Sequence, residues 1–372
     1  IPYTASGFAA CGKLFSSLFG VNYLTAMIIS AIVIVAYTTL GGFLAASTTD
    51  FIQSIIMSVA LIVVLIFGVE TAGGIGAVIH NASELPGYLS MTLSYDVNTG
   101  KAAPYSALTI VSTAAWGLGY FGMPHILLRF MAIEDEKKLK LSRRVATIWV
   151  VISLFVAVFI GVIGYTMSKV GALEMLTGSN SETIIVKISA LLSQHGVIFA
   201  LLAGVILAGI LASTMSTSDS QLLAASSAVS SDILGAFRKD SSNKNGSMAA
   251  ARITLLVISV VAAFIARNPD SSVFAIVSFA WAGFGAAFGP VVLFSLFWKR
   301  TNKWGALAGM VCGGSMVFIW KYLIRPLGGI WNIYELLPAF LIACATIVIV
   351  SLLTPKPSKE IEEEFDRVAQ MK

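Results

Sequence analysis

Four hydroxyl residues, Ser213, Ser216, Thr217 and Ser220, recur at i, i+3, i+4 and i+7 in a long apolar stretch between Leu201 and Asp232. On a helix they share one face. A polar stripe inside a membrane helix faces protein or water rather than lipid. Hydroxyl oxygens are hard, neutral ligands that replace part of a small cation's water shell without the grip of a carboxylate cage. Such a site binds an ion and releases it again. The same pattern also fits helix-to-helix packing, with each hydroxyl bonded back to a carbonyl one turn earlier. The residue types alone leave both readings open.

A second stretch, Trp116-Gly-Leu-Gly-Tyr-Phe-Gly-Met-Pro-His125, lies midway along an apolar segment near 106–131. Gly117, Gly119 and Gly122 lower helix propensity, and Pro124 removes a backbone donor. Together they predict a break near mid-membrane. Irregular backbone at that depth lines a cavity or is buried in protein, and broken helices form solute and ion sites in secondary transporters. Trp116 and Tyr120, spaced i and i+4, suit an apolar solute with a polar handle. A close helix crossing with core aromatics is the plainer alternative.

Two acids sit among these apolar residues. Asp219 lies within the hydroxyl stretch, and Asp50 follows Ser47-Thr48-Thr49. An acid at a membrane helix centre costs about 2.5–3.5 kcal/mol on insertion scales, so it needs a partner such as a cation, a proton or a donor. Asp50 equally fits an interfacial position at a helix start, where it complements the helix dipole. The run Trp281-Ala-Gly-Phe-Gly-Ala-Ala-Phe-Gly-Pro290 follows no strand, lacks nucleotide-loop spacing, and reads as close helix packing.

These residues need membrane helices to position them. The chain has 372 residues, 57% hydrophobic and 12% charged, with mean hydropathy +0.87. Soluble domains carry about 25% charged residues. About ten segments are long enough, or nearly so, to cross a bilayer. They fall near 1–19, 22–41, 43–69, 106–131, 143–169, 196–231, 248–267, 271–298, 303–323 and 334–354. Residues 1–354 thus form a transmembrane bundle, and 355–372 a charged tail that is either a solvated helix or disordered. Most of the 24 Lys and Arg residues assign to one side, among them Arg143, Arg144, Lys299 and Arg300. That side is expected to be cytoplasmic and to hold the C-terminus, with the 71–105 and 170–195 loops outside. The net charge of +5 reflects this loop bias and implies no nucleic acid. Residues 181–194 read as an amphipathic helix on the outer surface, and 238–247 as a solvated loop. Cys11, Cys312 and Cys344 read as small buried hydrophobes. No protease, hydrolase or nucleotide-binding constellation is visible, so no enzyme is expected. The opening Ile1-Pro-Tyr-Thr looks like mid-helix, so the natural start is expected to lie upstream.

The blocks Gly41–Asp50, Trp116–His125, Ile210–Ser220 and Trp281–Pro290 resemble the sodium:solute symporter family, most closely its bacterial proline-transporting branch. The resemblance spans nearly the whole chain. It implies an all-α, leucine-transporter-like inverted-repeat bundle, with the segments here being the later ones of about thirteen. It implies a multi-pass plasma-membrane protein that couples sodium to uptake of L-proline or a similar small solute by alternating access. By resemblance Ser216 and Thr217 match the main sodium site's hydroxyl pair, and Ser213 a carbonyl ligand one turn earlier. Trp116, Tyr120 and Pro124 match the solute-pocket stretch, and Tyr3 a pocket tyrosine. Asp50 matches an acid linked to sodium use. With Asp219 and Ser220 it resembles a further sodium site of the sialic-acid branch. A symporter for another small solute is the nearest alternative, and a channel or sensor-like membrane domain the next.

Overall fold

The computed structural model describes residues 1–233, 244–270 and 272–370. In chain order the helices are α1 (Pro2–Phe19), α2 (Tyr23–Thr71), α3 (Ile75–Ser83), α4 (Ala107–Ala114), α5 (Pro124–Met131), α6 (Leu139–Lys169) and α7 (Ile184–Ser193). There follow α8 (Val197–Ser227), α9 (Lys244–Ile265), α10 (Val273–Phe297), α11 (Lys303–Ile319), α12 (Leu336–Leu353) and α13 (Lys359–Gln370). Seven helices among the described residues are long and apolar enough to cross a membrane. The expected loop at 238–247 lies outside the described residues as far as 243, and from Lys244 the backbone is already helical. The tail takes the helical alternative, as α13.

Two compact units emerge. The first comprises Ile1–Ser90, Ser94–Ala103 and Ile133–Val277; the second comprises Met91–Leu93, Pro104–Ala132 and Ser278–Lys372.

In the first unit, α2 runs for 49 residues. At 1.5 Å per residue that is roughly 73 Å, over twice a bilayer's apolar core of about 30 Å. Gly42 divides it, with φ 65° and ψ −167°, at the boundary between the expected segments 22–41 and 43–69. The early half joins a core of Phe8, Cys11, Met27, Ile34, Leu222 and Leu255. The late half joins a second core with Val64, Ile160, Ile163, Ile188, Leu192 and Ile206. Helix α8 contributes to both cores, through Leu222 to one and Ile206 to the other. Its hydroxyl stretch therefore lies between two packed regions.

The amphipathic element expected at 181–194 is α7, and Val186, Ile188, Ser189 and Leu192 are its buried side. Just before it, the Glu182 carboxylate accepts from Lys13 Nζ at 2.8 Å, Ser272 Oγ at 2.7 Å, and the backbone N–H groups of Val273 and Phe274 at 3.2 and 3.3 Å. Burial alone would push this carboxyl up, but the four donors outweigh it and hold it below the usual glutamate range. Glu182 thus ties α1 to the start of α10.

The long connection after α2 holds more structure than its loop assignment. It contains α3 and a hairpin of β1 (Leu93–Asp96) and β2 (Lys101–Pro104). Asp96 sets the turn by accepting from Asn98 N and Thr99 Oγ1, both at 2.9 Å. The Asn98 N–H, then the Thr99 hydroxyl, hold its carboxyl below the ordinary value. Gly100 follows at φ 67°, the positive φ that favours glycine.

In the second unit, Gly305, Gly309 and Gly313 repeat every four residues along α11. A Cβ at any of them would collide with α12 or with Ala286; at Gly313, for example, Ala343 Cβ is 3.0 Å away. Small residues at this spacing let two helix backbones approach closely. Asn302 finishes the joint. Its side-chain oxygen accepts from Gly305 N at 2.9 Å, and its amide donates to Thr354 Oγ1 and to the Pro355 carbonyl, each at 2.8 Å.

Gly42 offers a direct test of the division in α2. Its dihedrals fall in a region nearly closed to other residues, worth about 1–3 kcal/mol of strain for a non-glycine. Gly42→Ala is expected to lower the unfolding temperature in detergent. Gly161→Ala, in regular helix with open space around it, is expected to be neutral or stabilising. Equal responses from the two variants would mean that the division is not built into the fold.

Candidate functional site

The hydroxyl stretch in the first unit is held by its own helix. Ser213 Oγ donates to the Ile210 carbonyl at 2.8 Å. Ser216 Oγ and Thr217 Oγ1 both donate to the Ser213 carbonyl, at 3.2 and 3.1 Å. This is the back-bonding that the packing alternative expects. It also gathers two hydroxyl oxygens around one carbonyl oxygen in a half-buried place. A hydroxyl that donates its proton keeps its lone pairs, so the two hydroxyl oxygens remain able to face a cation. Ser213 also borders a cavity of about 100 Å³ whose other walls include Met57, Ala60, Ile206 and Ile210.

Helix α1 approaches this stretch closely. A Cβ at Gly7 would overlap the Ser218 side chain, so only glycine admits this contact. Tyr3, one turn earlier, is half-buried, and its carbonyl accepts from Ser6 Oγ at 2.6 Å.

Asp219 does not share the face of Ser213, Ser216 and Thr217. It is fully buried and points toward the early half of α2, where Tyr37 OH donates to its Oδ2 at 2.9 Å. The same hydroxyl lies 3.3 Å from the Met215 carbonyl. Ser220 Oγ reaches Asp219 Oδ1 at 3.3 Å. Asp50, half-buried in the late half of α2, is near enough for its charge to act on both Asp219 and Tyr37. The fold therefore sets Tyr37 and Ser220 against Asp219, with Asp50 near enough to act on that group through its charge. The sequence marks Tyr37 only as a lone phenol directly after the mostly aliphatic run Ile28–Ala36.

The break expected in 106–131 is present in the second unit. Helix α4 gives way to a 3₁₀ stretch over Ala115–Gly122, then Met123 is extended at φ −82° and ψ 112°, and α5 begins on Pro124. Proline disfavours helix at the residue before it and suits the first turn of a new one. Eight residues is long for a 3₁₀ helix, where three or four are usual. With three residues per turn, Trp116, Gly119 and Gly122 align, rather than Trp116 and Tyr120. Against Gly119 lies the Trp281 indole, and against Gly122 the backbone of Phe284, Gly285 and Gly289. A side chain at either position would separate these segments. The Gly-rich run Trp281–Pro290 is thus the packing surface for the break.

Trp116 stacks between Trp281, with ring centres 5.3 Å apart, and Tyr334 at 6.1 Å. Tyr120, partly exposed, meets Trp281 edge-on at 4.8 Å. The Trp281 indole donates to the Trp116 carbonyl at 2.9 Å, which satisfies an acceptor within the irregular stretch. Tyr334 is fixed at both ends, its OH donating to the Ser278 carbonyl and its N–H to Ser112 Oγ, each at 2.6 Å. Sequence reasoning missed Tyr334, whose partners lie far away in the chain.

Membrane-length helices, a hydroxyl-bearing helix and a broken, aromatic segment define the class of secondary transporters. The sequence profile of the sodium:solute symporter family matches residues 1–313, and the chain belongs to that family. It is 38% identical over 357 residues to the "Osmoregulated proline transporter OpuE" of Bacillus subtilis (strain 168), covering 96% of this chain and 69% of that protein. It is 40% identical over 371 residues to the "Sodium/proline symporter" of Haemophilus influenzae, covering 98% and 71%. Among solved structures, a Na+-coupled sialic acid symporter in a substrate-bound outward-open state aligns with a TM-score of 0.71 at 18% identity, over 96% of this chain and 74% of that one. That likeness establishes a leucine-transporter-like, mostly helical membrane fold, to which the β1–β2 hairpin is a small addition.

The Tyr37–Asp219 contact yields a test. Loss of one donor to a buried polar group costs about 1–3 kcal/mol. Tyr37→Phe is expected to lower the unfolding temperature, and Asp219→Asn likewise. Because the two side chains touch, the double variant should fall short of the sum by about 0.5–3 kcal/mol. Additive losses in this cycle would refute a direct partnership.

Proposed function

We propose that the protein is a sodium-coupled symporter that takes up L-proline by alternating access. The observation that carries this reading is the oxygen cluster of Ser213, Ser216 and Thr217, in a chain whose relatives are named for sodium and proline transport. Sodium binds there, with Ser216 and Thr217 giving hydroxyl oxygens and Ser213 its carbonyl. The ligands are neutral, so binding is reversible and the ion is exchanged in every cycle. Asp50, Asp219 and Ser220 form a second cation or coupling site. Its acids supply the negative charge that the first site lacks.

Solute binding falls to Trp116, Tyr120 and Pro124 of the broken segment; for Tyr3 of α1 a solute-contacting role rests on the family resemblance alone. An apolar ring against aromatic faces suits proline, and backbone groups at a helix break serve charged ends of a solute in secondary transporters. Sodium carries its charge inward down the membrane potential, contributing about 2.3 kcal/mol per charge for each 100 mV. The chain is a transporter rather than an enzyme. Residues 1–354 form the membrane bundle of a plasma-membrane protein. The acidic helix α13 belongs to a cytoplasmic tail, on the charge bias of the loops. A C-terminal fluorescent-protein fusion should therefore glow, and a C-terminal alkaline phosphatase fusion should be inactive.

The function is tested by labelled L-proline uptake into vesicles containing the full-length protein. Replacing sodium by potassium should abolish concentrative uptake. Ser216→Ala with Thr217→Ala should raise the sodium concentration needed for half-maximal rate at least tenfold. Uptake indifferent to both changes would overturn the sodium reading. Sodium-driven uptake that unlabelled proline does not inhibit would assign another solute.

A further inference from the structure

In the second unit, one face of Trp116 is backed by a residue from far along the chain. Tyr334 stacks on its ring, with the planes 16° apart and the centres 6.1 Å apart. Tyr334 stands in the connection between α11 and α12, well away in sequence from the broken segment it supports. Its hydroxyl donates to the Ser278 carbonyl of α10, and its backbone N–H to Ser112 of α4. One turn beyond Ser278, Trp281 stacks on Trp116 as well, at 5.3 Å. A ring held between two others cannot swing toward or away from a solute.

An ion cluster fixes the place of Tyr334. Glu335, the next residue, has a side chain only 1% exposed. A carboxylate so buried needs charged or donor partners, and two cations supply them. Arg325 Nη1 donates to Glu335 Oε2 at 2.8 Å, and Arg325 Nε donates to Asn332 Oδ1 at 3.1 Å. The one guanidinium thus grips both ends of the short run that carries Tyr334. Gly328 and Gly329, at φ 73° and 57°, make the turn that brings this run back to Arg325. Lys321 Nζ lies 3.8 Å from Glu335 Oε1 and 3.9 Å from the centre of the Phe279 ring. Ser278 and Phe279, neighbours on α10, therefore receive Tyr334 and Lys321 respectively.

Well-packed apolar residues often stabilise a fold as much as a buried ion pair does. What the cluster adds is a directed hold, and the residue it holds is the one that backs Trp116. We propose that Tyr334 is a positioning residue for solute binding, and that Glu335, gripped by Arg325 and Lys321, sets its place. Tyr334 acts through Trp116, keeping that ring at one distance from Tyr120 and Pro124. The connection between α11 and α12 thereby tunes solute affinity without lining the solute's path. This rests on the reading of Trp116 as a solute-binding residue.

The test is the KM and kcat of labelled L-proline uptake into vesicles containing the full-length protein. Tyr334→Leu fills the space without an aromatic face. It should raise KM about fivefold, the scale of one lost aromatic pair. A positioning loss of this kind leaves kcat and the sodium dependence within about twofold of the unaltered protein. Tyr334→Phe keeps the ring and should restore KM. Glu335→Gln, similar in shape but uncharged, should raise KM in the same direction, and it carries the test if Tyr334→Leu fails to fold. A merely structural role would instead lower the unfolding temperature and the number of active transporters, with KM unmoved. Unchanged KM in the folded Leu or Gln variant, or a rise in Tyr334→Phe equal to that in Tyr334→Leu, would overturn the proposal. Absence of sodium-driven uptake in the unaltered protein is a separate result: it overturns the transport reading, and this proposal with it.

Discussion

A wholly buried carboxylate in a membrane-length helix is the demand around which the first unit is arranged. Asp219 has no exposure, and an acid in an apolar interior is tolerated only with partners. Tyr37 OH supplies the strongest of these, and its 2.9 Å contact requires the early half of α2 to lie beside α8. That requirement explains the division of α2 at Gly42. The early half serves Tyr37 and the core around Phe8 and Leu222, while the late half serves the core around Val64 and Ile206. A straight helix of the same length could not do both. The hydroxyls of Ser213, Ser216 and Thr217 then fall where α8 passes between the two cores. There they are fixed by packing on either side and yet only half-buried.

The second unit meets the membrane's demand differently. Its irregular backbone at Ala115–Gly122 would be costly in lipid, because the strained hydrogen bonding of a 3₁₀ stretch leaves groups poorly paired. The Trp281 indole N–H takes up the Trp116 carbonyl. Gly119 and Gly122 give up side chains so that the Trp281–Gly289 segment fits against the stretch. Aromatic stacking of Trp116 between Trp281 and Tyr334 closes the arrangement. Glycine and tryptophan are thus two halves of one device: the first removes volume, and the second fills it while carrying a donor.

What was legible in the chain follows from the range of the interactions involved. The break at Pro124 and the hydroxyl face at 213–220 depend on neighbours within one or two turns, so their residue types announce them. The helical period assigned to Trp116 and Tyr120 misled, because eight residues of 3₁₀ helix replace a spacing of four by a spacing of three. Tyr37 and Tyr334 were missed for the opposite reason. Tyr37 lies 182 positions from Asp219, and Tyr334 lies 222 positions from Ser112, and nothing local marks either pair. The hairpin at Leu93–Pro104 is an intermediate case. Its Asp96-Val-Asn-Thr-Gly100 turn is a local signal, but the strands of four residues each are too short to show alternation. Likewise the Gly305, Gly309 and Gly313 repeat is plain in spacing, and only the opposing α12 gives it meaning.

The two acids illustrate how far residue chemistry carries an argument before geometry must take over. In sequence, Asp50 and Asp219 were both exceptions to an apolar rule, and only Asp50 was open to an interfacial explanation. Burial of Asp219 and its bond to Tyr37 give that deeper acid its partner. The reach of Asp50's charge to the same pair draws the other in. Two carboxylates near one phenol oppose each other electrostatically unless a cation or proton joins them, since like charges in a low dielectric repel strongly. An arrangement of that kind is a poor choice for static stability, where an apolar replacement packs as well. It is well suited to a site whose occupancy changes, because arrival of one positive charge alters the balance among all three groups at once.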